Sequence, residues 1–163
     1  ADFYARLAHE ANRNGARFVL DTSGAALKDT LAEGGVFLAK PSQGEMEELF
    51  GAELDEQGLC EAALSLVRRG QAEMVAVSMG AQGALLASAE GVIRRSAPRV
   101  KARSAIGAGD SFLGAMIWAL GEGWATEDAF EFAIAAGAAA VLTSGTQLCR
   151  KADIEALYPM PGL

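Results

Sequence analysis

With 163 residues, 51% of them hydrophobic, the chain is long enough to bury a core and too apolar to be disordered. Its 14 Lys and Arg stand against 21 Asp and Glu, a formal charge of -7, which argues against nucleic acid or an anionic membrane as partner because both select a basic face. A single histidine, His9, excludes a histidine-based metal centre or a Ser-His triad, and the distant Cys60 and Cys149 read as buried thiols of a reducing compartment.

In chain order the first element is an amphipathic helix over residues 1–14, carrying Phe3, Leu7 and Ala11. The chain enters it without a Met, which reads as a cut inside a longer protein. Residues 17–21 (RFVLD) form a short apolar strand and lead into the turn Thr22-Ser23-Gly24. A helix follows over 25–32 and a buried strand over 36–39. Residues 42–50 are helical with Gly51 as the stop, and 56–69 are helical with Gly70 as the stop. Residues 73–79 (EMVAVSM) are a strand closed by Gly80-Ala81-Gln82-Gly83, and 84–88 with 92–95 make a hairpin around Glu90-Gly91. Three helices complete the chain, over 111–121, 126–143 and 151–158. The longest apolar run, 132–142, is too short to cross a bilayer, and no secretory leader is visible, so the expectation is a cytoplasmic protein.

Apolar strands alternating with helices imply an α/β fold whose mostly parallel sheet is covered on both faces. No shift in composition marks a second domain and no repeat is present. Ligands of such sheets lie beyond the carboxyl ends of the strands. Four loops fall there: 21–24, 40–45, 78–83 and 104–110.

The most informative of them is Ser104-Ala105-Ile106-Gly107-Ala108-Gly109-Asp110. Gly107, Ala108 and Gly109 leave a turn almost without side chains, so its N–H groups can approach a ligand closely at the start of a buried helix, where unpaired donors and the helix dipole favour an anion. Asp110 stands at its mouth. An anion cradle with one carboxylate suits phosphoryl transfer to a hydroxyl. The plain alternative is that Asp110 is a helix N-cap.

Elsewhere each motif carries two readings. In Lys40-Pro41-Ser42-Gln43-Gly44-Glu45, Glu45 could hold a water of Mg²⁺, or Ser42 and Glu45 could form a capping box; both can hold together. Ser78, Gly80 and Gly83 could cradle a nucleotide or make an ordinary turn. Residues 134–141 (IAAGAAAV) form a helix of small residues that admits a flat ring or a neighbouring helix, with Ile134 and Ala138 as candidate cofactor contacts. The loop Thr143-Ser144-Gly145-Thr146 could lend carbonyls to a monovalent cation or cap the helix end.

Taken together, DTSG, KPSQGE, SMGAQGALL and GAGD, in this order and spacing, resemble the PfkB (ribokinase-like) sugar kinases. The likeness is strongest to the minor 6-phosphofructokinase group, through AAAVLTSGTQLC over 138–149. It covers the chain but only the second half of a family chain. The resemblance implies a ribokinase-like three-layer αβα fold, with residues 1–163 as its C-terminal nucleotide-binding part and with the N-terminal half and lid absent. The missing strands would leave exposed sheet edges and apolar surface.

The resemblance further implies roles. Asp110 is the catalytic base, and Gly107, Ala108 and Gly109 are the anion hole. Glu45 is the acidic member of the family's N-x-x-E motif and organises Mg²⁺. Lys40, Ser42, Ser78, Gly80 and Gly83 contact ATP. Ser104, Ile106, Ala140, Thr143, Gly145 and Gln147 line a potassium site. Ser42 replaces the motif's Asn, and Ala105 stands where a hydroxyl residue is usual. Thr143 and Gln147 replace an Asn and an Arg of the closest group; a cation site built on those side chains is lost, one built on carbonyls survives. The implied activity is phosphorylation of a sugar phosphate by ATP, with fructose 6-phosphate first and fructose 1-phosphate, tagatose 6-phosphate or a nucleoside as rival substrates, in a homodimeric intact protein. The reading from another class is a non-catalytic nucleotide-binding module.

Overall fold

The computed structural model describes residues 3–144, 147 and 149–158. The elements in order are α1 (Phe3–Arg13), β1 (Val19–Leu20), α2 (Gly24–Glu33), β2 (Val36–Ala39), α3 (Gln43–Phe50), α4 (Glu56–Arg68), β3 (Ala72–Ser78), a 3-10 turn (Gly80–Gln82), β4 (Ala84–Ser88), β5 (Gly91–Arg95), α5 (Ala108–Gly121), α6 (Thr126–Ala140) and α7 (Lys151–Leu157). The chain gathers into two compact units, residues 1–79 with 85–94, and residues 80–84 with 95–163.

The first unit is built on a sheet in the order β1-β2-β3-β4-β5. β1, β2 and β3 run parallel, with Leu20 opposite Ala39 and Ala39 opposite Val75. Five residues link β3 to β4 and two link β4 to β5; such short links permit only antiparallel neighbours. Val75, Ala76 and Val77 are all fully buried, as expected of a strand covered on both faces. The core joins Leu20, Leu27, Leu31, Val36, Met46, Leu59, Leu66, Val77 and Leu85. β1 is shorter than its apolar run suggested. Phe18 still accepts a hydrogen bond from the N–H of Phe37 (2.8 Å), but only Val19 and Leu20 enter the ladder.

The second unit is helical. Phe112 of α5 meets Phe130 of α6 edge to face at 6.1 Å. Trp118, Trp124, Phe132 and Tyr158 form an aromatic cluster across α5, α6 and α7. Arg95 reaches Glu127 and Glu131, one turn apart on α6. The structure moves two helix boundaries. α5 starts at Ala108, three residues before the expected position, and α6 ends at Ala140, where the Thr143 N–H and hydroxyl both turn back to the Ala140 carbonyl. The cysteines also differ from expectation: Cys60 and Cys149 are free but only half-buried. Burial and the neighbouring Glu56 push the Cys60 thiol up from its usual pKa. No helix among the described residues is long and apolar enough to cross a membrane.

Candidate active site

In the first unit the ends of two of the three parallel strands, β2 and β3, carry the sequence-predicted nucleotide residues Lys40, Ser42 and Ser78. The register that sets Leu20 beside Ala39 also sets Asp21 beside Lys40. Lys40 is buried, and its Nζ lies 3.2 Å from the Asp21 carboxylate. Sequence reasoning assigned Lys40 to a nucleotide and gave Asp21 no role. The available signal was a charged residue just past each of two neighbouring apolar strands. Two residues on, Ser42 is the N-cap of α3. Its hydroxyl accepts from the Glu45 N–H, and a Glu45 carboxylate oxygen accepts from the Ser42 N–H at 2.7 Å, a complete capping box. Ser42 bridges to Ser78 in the parallel sense, and the Ser78 N–H donates to the Pro41 carbonyl at 3.0 Å. The structure thus brings Lys40, Ser42, Glu45 and Ser78 to one edge of the first unit, where the protein already employs three of these side chains.

In the second unit Gly80 and Gly83 close the 3-10 turn, the Gly83 N–H bonding the Gly80 carbonyl. Gly83 has φ +106°, and a Cβ on it would stand 2.1 Å from the Arg95 carbonyl oxygen. Only glycine fits that approach.

The anion turn is organised by Gly107, the N-cap of α5, in left-handed conformation (φ 79°, ψ 0°) and with no side-chain cap. A Cβ there would meet nothing within 4 Å. One left-handed residue is enough to start the helix at Ala108, a strong helix former. The N–H groups of Ala108, Gly109 and Asp110 are therefore first-turn donors without helical acceptors; that of Ala108 bends back to the Ala105 carbonyl at 3.4 Å. Asp110 sits in the first turn rather than at the cap. Its carboxylate is exposed and makes no hydrogen bond or ion pair with a described residue. The next residue adds a signal that the sequence reading missed: the Ser111 hydroxyl is buried and has no hydrogen-bond partner among the described residues.

The proposed cation residues lie nearby in the same unit. The N–H groups of Arg103 and Ser104 reach the Val141 carbonyl, and the Ser104 hydroxyl accepts from the Ile106 N–H at 3.2 Å. The Thr143 hydroxyl lies 2.8 Å from the Ala140 carbonyl and 2.7 Å from that of Gln147. Ile106 is exposed, Gln147 is exposed, and Gly145 lies outside the described residues. Ile134 and Ala138 are buried in α6.

A family model described as pfkB family carbohydrate kinase matches residues 1–153. The chain belongs to that family. It is 41% identical over 154 residues to the ATP-dependent 6-phosphofructokinase isozyme 2 of Escherichia coli, covering 94% of this chain and 50% of the relative. It is 34% identical over 156 residues to the 1-phosphofructokinase of Borreliella burgdorferi, covering 94% of this chain and 49% of the relative. Among solved structures, phosphofructokinase-2 from Escherichia coli in complex with potassium superimposes with a TM-score of 0.91 at 39% identity, over 96% of this chain and 51% of that one. The chain therefore spans about half the length of the curated relatives it matches. This agrees with the family and the α/β fold, with its mostly parallel sheet, expected from the four motifs.

Proposed function

We propose that this chain is the nucleotide-binding part of an ATP-dependent sugar-phosphate kinase, and that the whole protein phosphorylates the 1-hydroxyl of fructose 6-phosphate to give fructose 1,6-bisphosphate. The observation that carries this reading is the start of α5. An open, left-handed Gly107, first-turn N–H donors and an Asp110 carboxylate that bonds no described residue occupy one turn. Relatives named 6-phosphofructokinase isozyme 2 support the choice of substrate.

Asp110 accepts the proton of the attacking hydroxyl. The N–H groups of Gly107, Ala108, Gly109 and Asp110 hold the oxygens of the group in transfer, where negative charge must be stabilised without reorganisation. ATP would supply the phosphoryl group, and a bound Mg²⁺ would offset its charge. The donor set fits such an ion. Mg²⁺ needs few carboxylates because it keeps its waters. Glu45 uses one oxygen for the capping box, and the second remains to orient a metal-bound water. Lys40, Ser42 and Ser78 of the first unit, and Gly80, Gly83, Ile134 and Ala138 of the second, are the residues assigned to the nucleotide. A potassium ion, when bound, would be held by carbonyls around Ser104, Ile106, Ala140, Thr143 and Gln147, together with Gly145, which lies outside the described residues. Thr143 has one hydroxyl proton for two carbonyls, so one carbonyl keeps acceptor capacity. The intact protein acts as a cytoplasmic homodimer.

The test is Asp110→Asn in the whole protein. Loss of a general base should lower kcat by about 10²–10⁴-fold, while calorimetric affinity for Mg·ATP changes little. An unchanged kcat would refute the assignment. A second reading, phosphorylation of fructose 1-phosphate, is favoured by relatives named 1-phosphofructokinase at 34% identity over most of the chain. Turnover of the two fructose phosphates side by side decides between them.

A further inference from the structure

We infer that Gly137 is a positioning residue for the anion turn of α5, acting without touching nucleotide or sugar. The inference rests on the function proposed above.

Gly137 lies in the last turn of α6, among buried alanines. Glycine is the poorest helix former short of proline, so its presence there calls for a steric reason, and α5 provides one. A methyl group on Gly137 would stand 3.2 Å from the carbonyl oxygen of Ala108 and 3.5 Å from the Cβ of Phe112. Ala108 is the first residue of α5 and Phe112 lies one turn on. The bare face of Gly137 is therefore the seat on which the turn bearing Gly109 and Asp110 rests. The first distance is shorter than ordinary van der Waals contact. The Ala108 carbonyl cannot swing aside, because it belongs to the helical ladder. A methyl group at 137 must push the first turn of α5 as a body, moving donors and carboxylate together by a few tenths of an ångström.

Gly114 supplies the internal contrast. It too is inside a helix, α5, but a Cβ there would meet nothing within 4 Å. Alanine at 114 brings the same gain in helix propensity without the displacement. The two substitutions separate helix formation from placement of the anion turn.

The experiment compares Gly137→Ala with Gly114→Ala in the whole protein, with kcat counted per folded molecule by circular dichroism. Misplacement by 1 Å costs about 100-fold, so Gly137→Ala should lower kcat roughly 3- to 10-fold, with KM for the sugar phosphate unchanged. Gly114→Ala should leave kcat unaltered. A Gly137→Ala enzyme as fast as the unaltered one overturns the inference. If that variant does not fold, Phe112→Leu loosens the same seat from the α5 side: a lower kcat with unchanged sugar KM supports the role, and an unchanged kcat overturns it. An unaltered protein without kinase activity would instead overturn the proposed function. Calorimetric Mg·ATP affinity then decides for Gly137: weakening in Gly137→Ala alone supports the inference, and equal affinities in both variants overturn it.

Discussion

The two units offer their functional groups in opposite ways. In the first, the candidate side chains are already bonded within the fold: Lys40 to Asp21, Ser42 and Glu45 to each other's backbone. In the second, the groups on offer are backbone N–H donors at the start of α5 and one carboxylate, Asp110, with no protein partner among the described residues. A group that is satisfied inside the protein contributes to stability and must be recruited for binding. A group left unsatisfied contributes little to stability and stands ready for a ligand. The contrast predicts that substitutions in the first unit show mainly as lost stability, and those at the anion turn mainly as lost turnover.

The largest stability effect should come from the most tightly closed of the glycine positions in the second unit. Gly83→Ala sets a methyl group on top of the Arg95 carbonyl at a φ of +106°. Backbone must move, and a loss of about 3 kcal/mol or more in denaturant unfolding is expected. A variant as stable as the parent would mean the Gly80–Gly83 turn is loosely held. Next is Lys40→Met. Removing one partner of a buried pair can cost about 3–5 kcal/mol, but the Asp21 side chain is 35% exposed and water can take up part of the loss, so about 1–2 kcal/mol is expected. If stability held while Mg·ATP affinity fell tenfold or more, Lys40 would belong with the uncommitted groups and the contrast would fail.

How much of this was legible in the sequence depends on how local the cause is. α3 was readable almost to the residue because Ser42, Glu45 and Gly51 act within one or two turns: a capping box at one end and a left-handed glycine (φ 67°) at the other. The strand over Val36–Ala39 was equally plain, since a parallel strand buried on both faces is apolar throughout. The start of α5 was misread because Gly-Ala-Gly looks like loop in isolation, although a single left-handed Gly107 suffices to launch the helix. The end of α6 was misread because Thr143 looks like part of an apolar helix, yet its hydroxyl bonds the Ala140 carbonyl and closes the turn. The pairing of Lys40 with Asp21 depends on strand register, and the need for glycine at 83 depends on a chain segment twelve residues away. Neither cause is present in a local window. The motifs of the candidate site were visible nonetheless, because each sits at a strand end or helix start that local pattern does mark.

Ser42→Ala sharpens the contrast at smaller scale. It removes the hydroxyl that accepts from the Glu45 N–H and should cost about 1 kcal/mol, the usual value of an N-cap. It also frees Glu45 from its reciprocal geometry. A shift in the Mg²⁺ concentration needed for half-maximal rate, beyond the stability loss, would assign Glu45 a metal role in addition to its capping one. A rate indifferent to the change would leave Glu45 with the cap alone.

The smallest stability effect should belong to the residue with the largest kinetic one. Asp110→Ala removes a carboxylate that bonds to no described residue. What it loses is the favourable placement of a negative charge in the first turn of a helix, about 0.3–1 kcal/mol and weaker in salt. What it gains is helix propensity, since Ala exceeds Asp by up to roughly 0.7 kcal/mol. The two terms nearly cancel, so unfolding in denaturant should be unchanged within about 0.5 kcal/mol while turnover collapses. A marked destabilisation would show that the carboxylate is part of the fold and remove the distinction between the units. A marked stabilisation would show the opposite: that the ionised group is held at α5 against the interests of folding, as expected where function retains a charge that stability would discard.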